Sequence, residues 1–322
     1  MKQPDYAPRS KRRRKARTYK TPLPTKQLLF LVALFVFSAL FAFGAFRLFS
    51  YIKEGVASRR AAEAIRQVYY ATTEEPALTE MIAETTAAPA PSPAADEATA
   101  DPDILPQMRY PGNPYAIVTS RFRELRKMNE DIIGWLTVAD QLDQAVVLKD
   151  NSAYLATDYM GNANKNGAIF LDENCDVTSR PYTYVLYGHN MKSGAMFGSL
   201  REYEDLSCLT QYPFITFDTA YEAGRYVVFA VGTVSTDPDS WQYLDLTRLC
   251  APMRSLRDEA IRKLKALSVF DCPLEVRDDD QVLLLMTCSD GSDERRVVAA
   301  RRIRNNESDA TLQSILSRTR TK

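Results

Sequence analysis

Histidine is almost missing from this 322-residue chain: His189 is the only one. Cysteine is scarce too, at positions 175, 208, 250, 272 and 288, with no CxxC and no Cys/His grouping at zinc spacing. A metal site is therefore not expected, and no motif for an organic cofactor is present. Twelve Gly and 17 Pro are too few for a fibrous protein, while 45% hydrophobic residues are too many for a fully disordered one. Net charge is absent as well, with 41 basic and 41 acidic residues, but their distribution is uneven. Residues 1–27 hold ten Lys/Arg and one acid, a net of +9, which leaves −9 for the remainder. Basic charge confined to a tail argues against a nucleic-acid-binding surface.

The segment after the tail is apolar. Leu28 to Phe46 is interrupted only by Ser38 and Gly44, and at about 1.5 Å per residue it nearly spans a hydrocarbon core of roughly 30 Å. Arg9, the run Lys11–Lys15, Arg17, Lys20 and Lys26 precede it, whereas only Arg47 and Lys53 closely succeed it. The positive-inside rule predicts an uncleaved signal anchor over 28–50, a cytoplasmic tail over 1–27 and an extracellular remainder. A nuclear-targeting patch or a signal peptide cleaved near Ala42–Ala45 fits less well, because the basic region and the apolar run are both long.

From Gln67 to Met108 there is no Lys or Arg, and residues 83–102 contain eight Ala and four Pro without a Gly or an aromatic. Residues 51–107 read as a short charged helix over 54–70 and then an acidic spacer that cannot bury enough surface to fold alone. The composition becomes globular from about 108 to 306, leaving a polar tail over 307–322. Helical spacing marks 114–130 (Val118, Phe122, Leu125, Met128) and 251–267 (Met253, Leu256, Ala260, Leu264, Leu267). Elsewhere short apolar runs alternate with turns. Strands are expected at 135–138, 145–148, 168–171, 182–187, 214–218, 225–236, 282–287 and 295–303. Short strands without regular helix alternation predict a mixed or antiparallel barrel with flanking helices.

Two residues stand out chemically. His189 directly succeeds an apolar strand, in Tyr187-Gly188-His189-Asn190; alternatively it is a surface or a packed histidine. Cys288 ends the run Val282-Leu283-Leu284-Leu285-Met286-Thr287 and precedes Ser289-Asp290-Gly291, whereas the other four cysteines fall in loops or near helix ends and read as packing residues. A catalytic thiol needs a base or cation beside it and a donor for the oxyanion it creates. His189 is the single available imidazole, and Arg295 or Arg296, at the start of the next strand, supplies the donor.

At these residues the sequence resembles class B sortases, the membrane-anchored cysteine transpeptidases of Gram-positive bacteria. The matching segments, in family order, are Asn129-Glu130-Asp131-Ile132-Ile133-Gly134-Trp135, Asp150-Asn151-Ser152-Ala153-Tyr154-Leu155 and Gly167-Ala168-Ile169-Phe170-Leu171-Asp172. They continue with Tyr187-Gly188-His189-Asn190-Met191, Met196-Phe197, Thr287-Cys288 and Arg295-Arg296-Val297-Val298-Ala299-Ala300-Arg301. The resemblance implies an eight-stranded sortase barrel with an N-terminal helix and a helix before the cysteine strand. It also implies that Cys288 attacks the Thr carbonyl of a sorting signal on a secreted surface protein. His189 then acts as general acid and base, and the acyl group passes to an amine of peptidoglycan or its lipid-linked precursor. The family pattern aligns Arg295 with the functional arginine and implies Asn151, Leu155, Met286 and Asp290 as substrate-binding residues.

Two positions depart from the family. Leu284 replaces a Thr, and Met286 occupies a site often held by a small polar residue, so the preference for an Asn-Pro-x-Thr signal is open. Rival readings are another extracytoplasmic cysteine acyl-transfer enzyme or peptidase, and an inactive membrane-anchored binding module. An L,D-transpeptidase fits poorly, since it holds its His and Cys close in sequence.

Overall fold

The computed structural model describes residues 25–72, 101–287 and 292–322. The chain divides into two compact units, Met1–Lys53 and Glu54–Lys322. Helix α1, Thr25–Ala71, contains the segment Leu29–Ser50, whose mean hydropathy of 2.6 and 22-residue length suffice to cross a membrane.

The described residues form ten strands: β1 Ile132–Val138, β2 Leu142–Val147, β3 Phe170–Leu171, β4 Thr183–Gly188, β5 Phe214–Thr219, β6 Arg225–Ser235, β7 Phe270–Asp271, β8 Val282–Thr287, β9 Glu294–Arg302 and β10 Arg320–Thr321. Eight close into a barrel in the order β1-β2-β3-β4-β8-β9-β6-β5, with β5 returning to β1. These are the eight strands the apolar runs predict, with ends shifted by a few residues. The β7–β10 pair, two residues long on each side, is too short to leave a periodic signal.

Most barrel neighbours are antiparallel, but β2–β3 and β4–β8 run parallel. The β4–β8 pair explains an oddity of the sequence. All six residues of β8 are buried, so the strand reads as a continuous apolar run without alternation.

The remaining α-helices are α2 Ser120–Met128, α3 Leu206–Gln211, α4 Leu246–Cys250, α5 Arg254–Leu267 and α6 Asp309–Leu316. Both helices read from periodicity are present but shorter. The helix expected over 114–130 starts only at Ser120, because the chain before it turns through Ala116 at φ 49° and Thr119 is extended. In α5 the buried face is Arg257, Ala260, Ile261 and Leu264, rotated from the expected stripe, and Met253 lies at its exposed N-cap. Arg257 is fully buried and donates to the carbonyls of Leu249, Tyr182, Asp278 and Asp280 and to the Thr183 hydroxyl. Periodicity marks such a residue as exposed because the acceptors that satisfy it lie elsewhere in the chain.

Two segments read as lying outside the fold pack into it. Along the part of α1 after Glu54, Ile65 and Tyr69 are buried. The Tyr69 ring stacks on Trp135 at 4.1 Å and 10°, and its hydroxyl donates to Asp218 at 2.7 Å. Arg66 and the Tyr70 hydroxyl both reach Asp143, which also accepts from Trp135 Nε1 at 2.6 Å. The end of the chain, expected as a polar tail, forms α6, capped by Ser308 and burying Leu312 and Leu316. Arg301, 1% exposed, pairs there with Glu307 at 2.6 Å, and Arg304 pairs with Asp280 at 2.7 Å.

Tyr69→Ala is expected to cost about 3 kcal/mol of stability and Tyr69→Phe about 1–2 kcal/mol, measured by urea unfolding of the full chain in detergent with tryptophan fluorescence. An unchanged midpoint in Tyr69→Ala would mean that the helix does not stay docked. Burial alone raises the Glu307 carboxyl, but hydrogen bonds from Arg301 and from the Arg304 N–H outweigh it and hold the group below its usual 4.5. A carboxylate with a depressed folded-state pKa stabilises above its unfolded pKa and ceases to do so as pH falls. Glu307→Gln takes the nearer of two carboxylates from the buried Arg301, leaving Asp280 at 3.8 Å, and is expected to cost roughly 2–3 kcal/mol at pH 7. That gap should narrow progressively below about pH 4.5; a pH-independent difference would assign the loss to shape instead of charge.

Candidate active site

The pairing register selects one face at one end of the barrel. Tyr187 on β4 pairs with Met286 on β8, which pairs with Val297 on β9. Side chains on a strand return to the same face every second residue. Two residues beyond Tyr187 is His189, and two residues before Val297 is Arg295. The alternate rung, Gly188–Thr287, points the other way and carries Arg296, whose N–H donates to Thr287 Oγ1 at 3.0 Å.

Their surroundings separate the two arginines further. Arg296 is engaged by Glu204, Nε to Oε1 at 2.6 Å. Arg295 is half-buried, and its Nη1 donates to the carbonyls of Ser292 and Glu294 at 2.6 and 3.0 Å. Among the described residues no carboxylate pairs with Arg295, so its guanidinium keeps its charge for another partner.

The His189 ring is held by a neighbouring loop. Its Nε2 lies 2.6 Å from the carbonyl oxygen of Leu155. A carbonyl can only accept, so Nε2 carries the proton and Nδ1 is left to exchange one. The His189 carbonyl accepts from both Met191 and Phe197 N–H at 3.0 Å, closing the 190–196 hairpin against the strand. Gly188 lets the Phe197 ring approach: a Cβ there would lie 2.8 Å from it.

The loop that presents Leu155 is built by the motifs singled out from sequence. Asn129, past the end of α2, donates to Tyr154 Oη at 2.8 Å and to the Tyr159 carbonyl at 2.9 Å, and Asp131 accepts from Tyr154 Oη at 2.8 Å. Asp150 turns the chain by accepting from the Ser152 and Ala153 N–H groups. Gly167, at φ 61°, passes directly beneath: a Cβ would lie 2.5 Å from the Tyr154 carbonyl oxygen, 2.9 Å from that of Leu155 and 3.1 Å from His189 Cδ2. Only glycine meets both the left-handed backbone and that approach.

The residues expected to bind substrate fall in different environments. Leu155 has an exposed side chain at the rim of this loop. Asn151 is half-buried and uses both ends of its amide, Nδ2 to Asp172 at 3.3 Å and Oδ1 from the Glu173 N–H at 3.0 Å, so it fastens two loops together. Met286, 2% exposed, belongs to the core. Cys288 and Asp290 lie outside the described residues. Sequence reading did not single out the Leu155 carbonyl, since every residue has one, and Gly167 entered only as part of a family segment.

The imidazole state is directly observable because the chain has one histidine. A nitrogen-15 spectrum at a pH where the ring is neutral is expected to show the Nε2–H tautomer, and Gly167→Ala is expected to shift both ring nitrogens. A predominant Nδ1–H tautomer would contradict the Leu155 contact.

Comparison with known proteins agrees with this geometry. The Sortase domain family model matches residues 141–303. Sortase B of Listeria monocytogenes is 30% identical over 178 residues, covering 55% of this chain and 70% of that protein. Sortase B of Staphylococcus aureus is 28% identical over 190 residues, covering 58% and 75%. A crystal structure of a Bacillus anthracis protein similar to sortase B superposes with a TM-score of 0.58 at 25% identity, covering 77% of this chain and 96% of that one. Barrel, motif order and relatives together place the chain in the sortase family, as a cysteine transpeptidase of class B.

Proposed function

We propose that this transpeptidase cleaves a C-terminal sorting signal after Thr and joins the released surface protein to an amine of peptidoglycan or its lipid-linked precursor, with Cys288, His189 and Arg295 as its catalytic residues. The observation that carries the reading is the shared face of three adjacent strands. The rung Tyr187–Met286–Val297 is continued, on that face, by His189 and Arg295, and Cys288 is the next residue in the chain after Thr287.

The chemistry then proceeds in balanced steps. The Cys288 thiolate attacks the Thr carbonyl carbon, and Arg295 N–H groups take up the charge that develops on the carbonyl oxygen. As the tetrahedral centre collapses, the C–N bond breaks and the leaving amine receives a proton from His189 Nδ1, giving a thioester. The incoming amine attacks that thioester and gives its proton back to Nδ1, and the thiolate departs as the new amide forms. Throughout, the Leu155 carbonyl holds Nε2–H, which keeps Nδ1 as the exchanging nitrogen.

Leu155 and Asp290 are proposed to contact the sorting signal directly. Asn151 would position that loop, and Met286, being buried, would shape the floor beneath it. The basic residues before the apolar segment support a cytoplasmic N-terminus with residues 1–27 inside, 28–50 as the anchor and the catalytic unit outside. Residues 73–100, the core of the proposed spacer, lie outside the described residues.

A quenched-peptide library with Thr-containing signals, assayed on the full chain in vesicles with and without amine acceptors, tests the proposal. Cys288→Ala is expected to form no acyl adduct by mass spectrometry. Arg295→Ala is expected to lower kcat/KM by about 10²–10³-fold, against less than about tenfold for Arg296→Ala, which loses a half-exposed ion pair. A larger loss in Arg296→Ala would reverse the arginine assignment, and hydrolysis without amide product at any amine concentration would refute the transfer step.

A further inference from the structure

The hydrogen bond between His189 and Leu155 joins two separate elements. The ring comes from the end of β4 and the carbonyl from the loop between β2 and β3, so the 2.6 Å contact holds only while loop and strand keep one relative position. One tether of that loop runs away from β4: Tyr154 is held by Asn129 and Asp131, beside the start of β1. Asp172, directly after β3, supplies a tie to β4 itself. Its N–H donates to the Val185 carbonyl at 2.9 Å, so its backbone continues the β3–β4 pairing. Its carboxylate, on a residue only 9% exposed, collects donors at both oxygens. Oδ2 accepts from Tyr187 Oη at 2.8 Å and from Asn151 Nδ2 at 3.3 Å. Oδ1 accepts from the Asn174 N–H and from Asn174 Nδ2, both at 2.9 Å.

We propose that Asp172 is a positioning residue for His189: its Oδ2 couples Tyr187 on β4 to Asn151 in the loop, and so sets the Leu155 carbonyl against Nε2. Tyr187 lies just before Gly188 and His189 in the chain, and Asn151 lies just before the turn that ends at Leu155. One oxygen atom therefore touches both elements whose separation fixes the ring contact. This role rests on His189 being the acid and base, as proposed above.

The loop can transmit the tie because it is stiff between Asn151 and Leu155. Asp150 Oδ1 accepts from the Ser152 and Ala153 N–H groups at 2.9 and 2.8 Å, and the Leu155 N–H donates to the Ser152 carbonyl at 3.2 Å. The Asn151 amide is locked at its other end too, since Oδ1 accepts from the Glu173 N–H at 3.0 Å, next to Asp172 in the chain. A displacement of Asn151 is thus passed on to Leu155 instead of being absorbed between them. The residue type fits the task. A carboxylate accepts at both oxygens, whereas an amide at 172 would turn an N–H towards one pair of donors.

The single histidine makes the test direct. With the full chain in detergent and its histidine labelled with nitrogen-15, the Nε2 shift and the exchange of the Nε2-bound proton with water are measured. The chains compared are the unaltered one, Asp172→Ala, Asn151→Ala, Tyr187→Phe and the double variant Asp172→Ala/Asn151→Ala. Asp172→Ala is expected to move the Nε2 signal and to speed proton exchange about tenfold. Asn151→Ala is expected to do the same, and the double variant to exchange no faster than the faster single one, because both cut one connection. Tyr187→Phe, which loses only the hydroxyl, is expected to give a smaller change in the same direction. The transpeptidation kcat of Asp172→Ala is expected to fall about 10²-fold.

A lower melting temperature in Asp172→Ala with Nε2 unmoved would show a merely structural role and overturn the proposal. Additive effects of Asp172→Ala and Asn151→Ala would overturn it too, as would a moved Nε2 with kcat unchanged. Should Asp172→Ala fail to fold, an unmoved Nε2 in both Asn151→Ala and Tyr187→Phe overturns it equally. Absence of peptide cleavage by the unaltered chain would instead refute the function proposed above, and the nitrogen measurements would still decide the role of Asp172.

Discussion

The parallel pairing of β4 with β8 is the constraint on which the rest of this site depends. Parallel strands end at the same side of a sheet, so the residues just beyond them emerge together even when about a hundred positions separate them in the chain. Gly188 opposite Thr287 is the last rung of that ladder, and β9 begins on the far side of β8 at the same level. One sheet edge therefore gathers two strand ends and one strand start. The burial of β8 on both faces makes this register costly to change, since a slip by one residue would turn Met286 and Val297 away from the side they now share.

A second layer of structure decides what the imidazole can do. The strand delivers His189, but the ring is oriented by a backbone carbonyl from a loop that is itself held by Asn129, Asp131 and Asp150. Gly167 makes that arrangement possible by letting the backbone pass within contact distance of the ring. Segments that look like unrelated short motifs are thus parts of one support. Most of them act on the loop, and through the loop on one nitrogen atom.

Much of the barrel was legible from the sequence because its strands are short, apolar and separated by turns. The two main helices were legible because their apolar residues recur at helical spacing. The errors have physical causes. Arg257 counts as a surface residue by periodicity, yet it is buried and satisfied by acceptors distant in the chain. The helix ending at Ala71 was legible as a helix but was placed outside the folded domain because it is charged, and only Trp135 and Asp218 reveal what Tyr69 packs against. The final helix was missed because Leu312 and Leu316 are too few to form a stripe.

Sequence by itself determined the class of this protein: an apolar span behind a basic tail, a strand-rich domain, one histidine, and a cysteine at the end of a buried strand. Those features are local, carried by composition, run length and residue type. The tertiary structure alone decided which residues share a face, and so distinguished Arg295, on the side of Tyr187 and Met286, from Arg296, paired with Glu204. It also decided which nitrogen of His189 is bound. Strand alternation alone says that 295 and 296 face opposite ways, and only the register against neighbouring strands tells which neighbours each one faces.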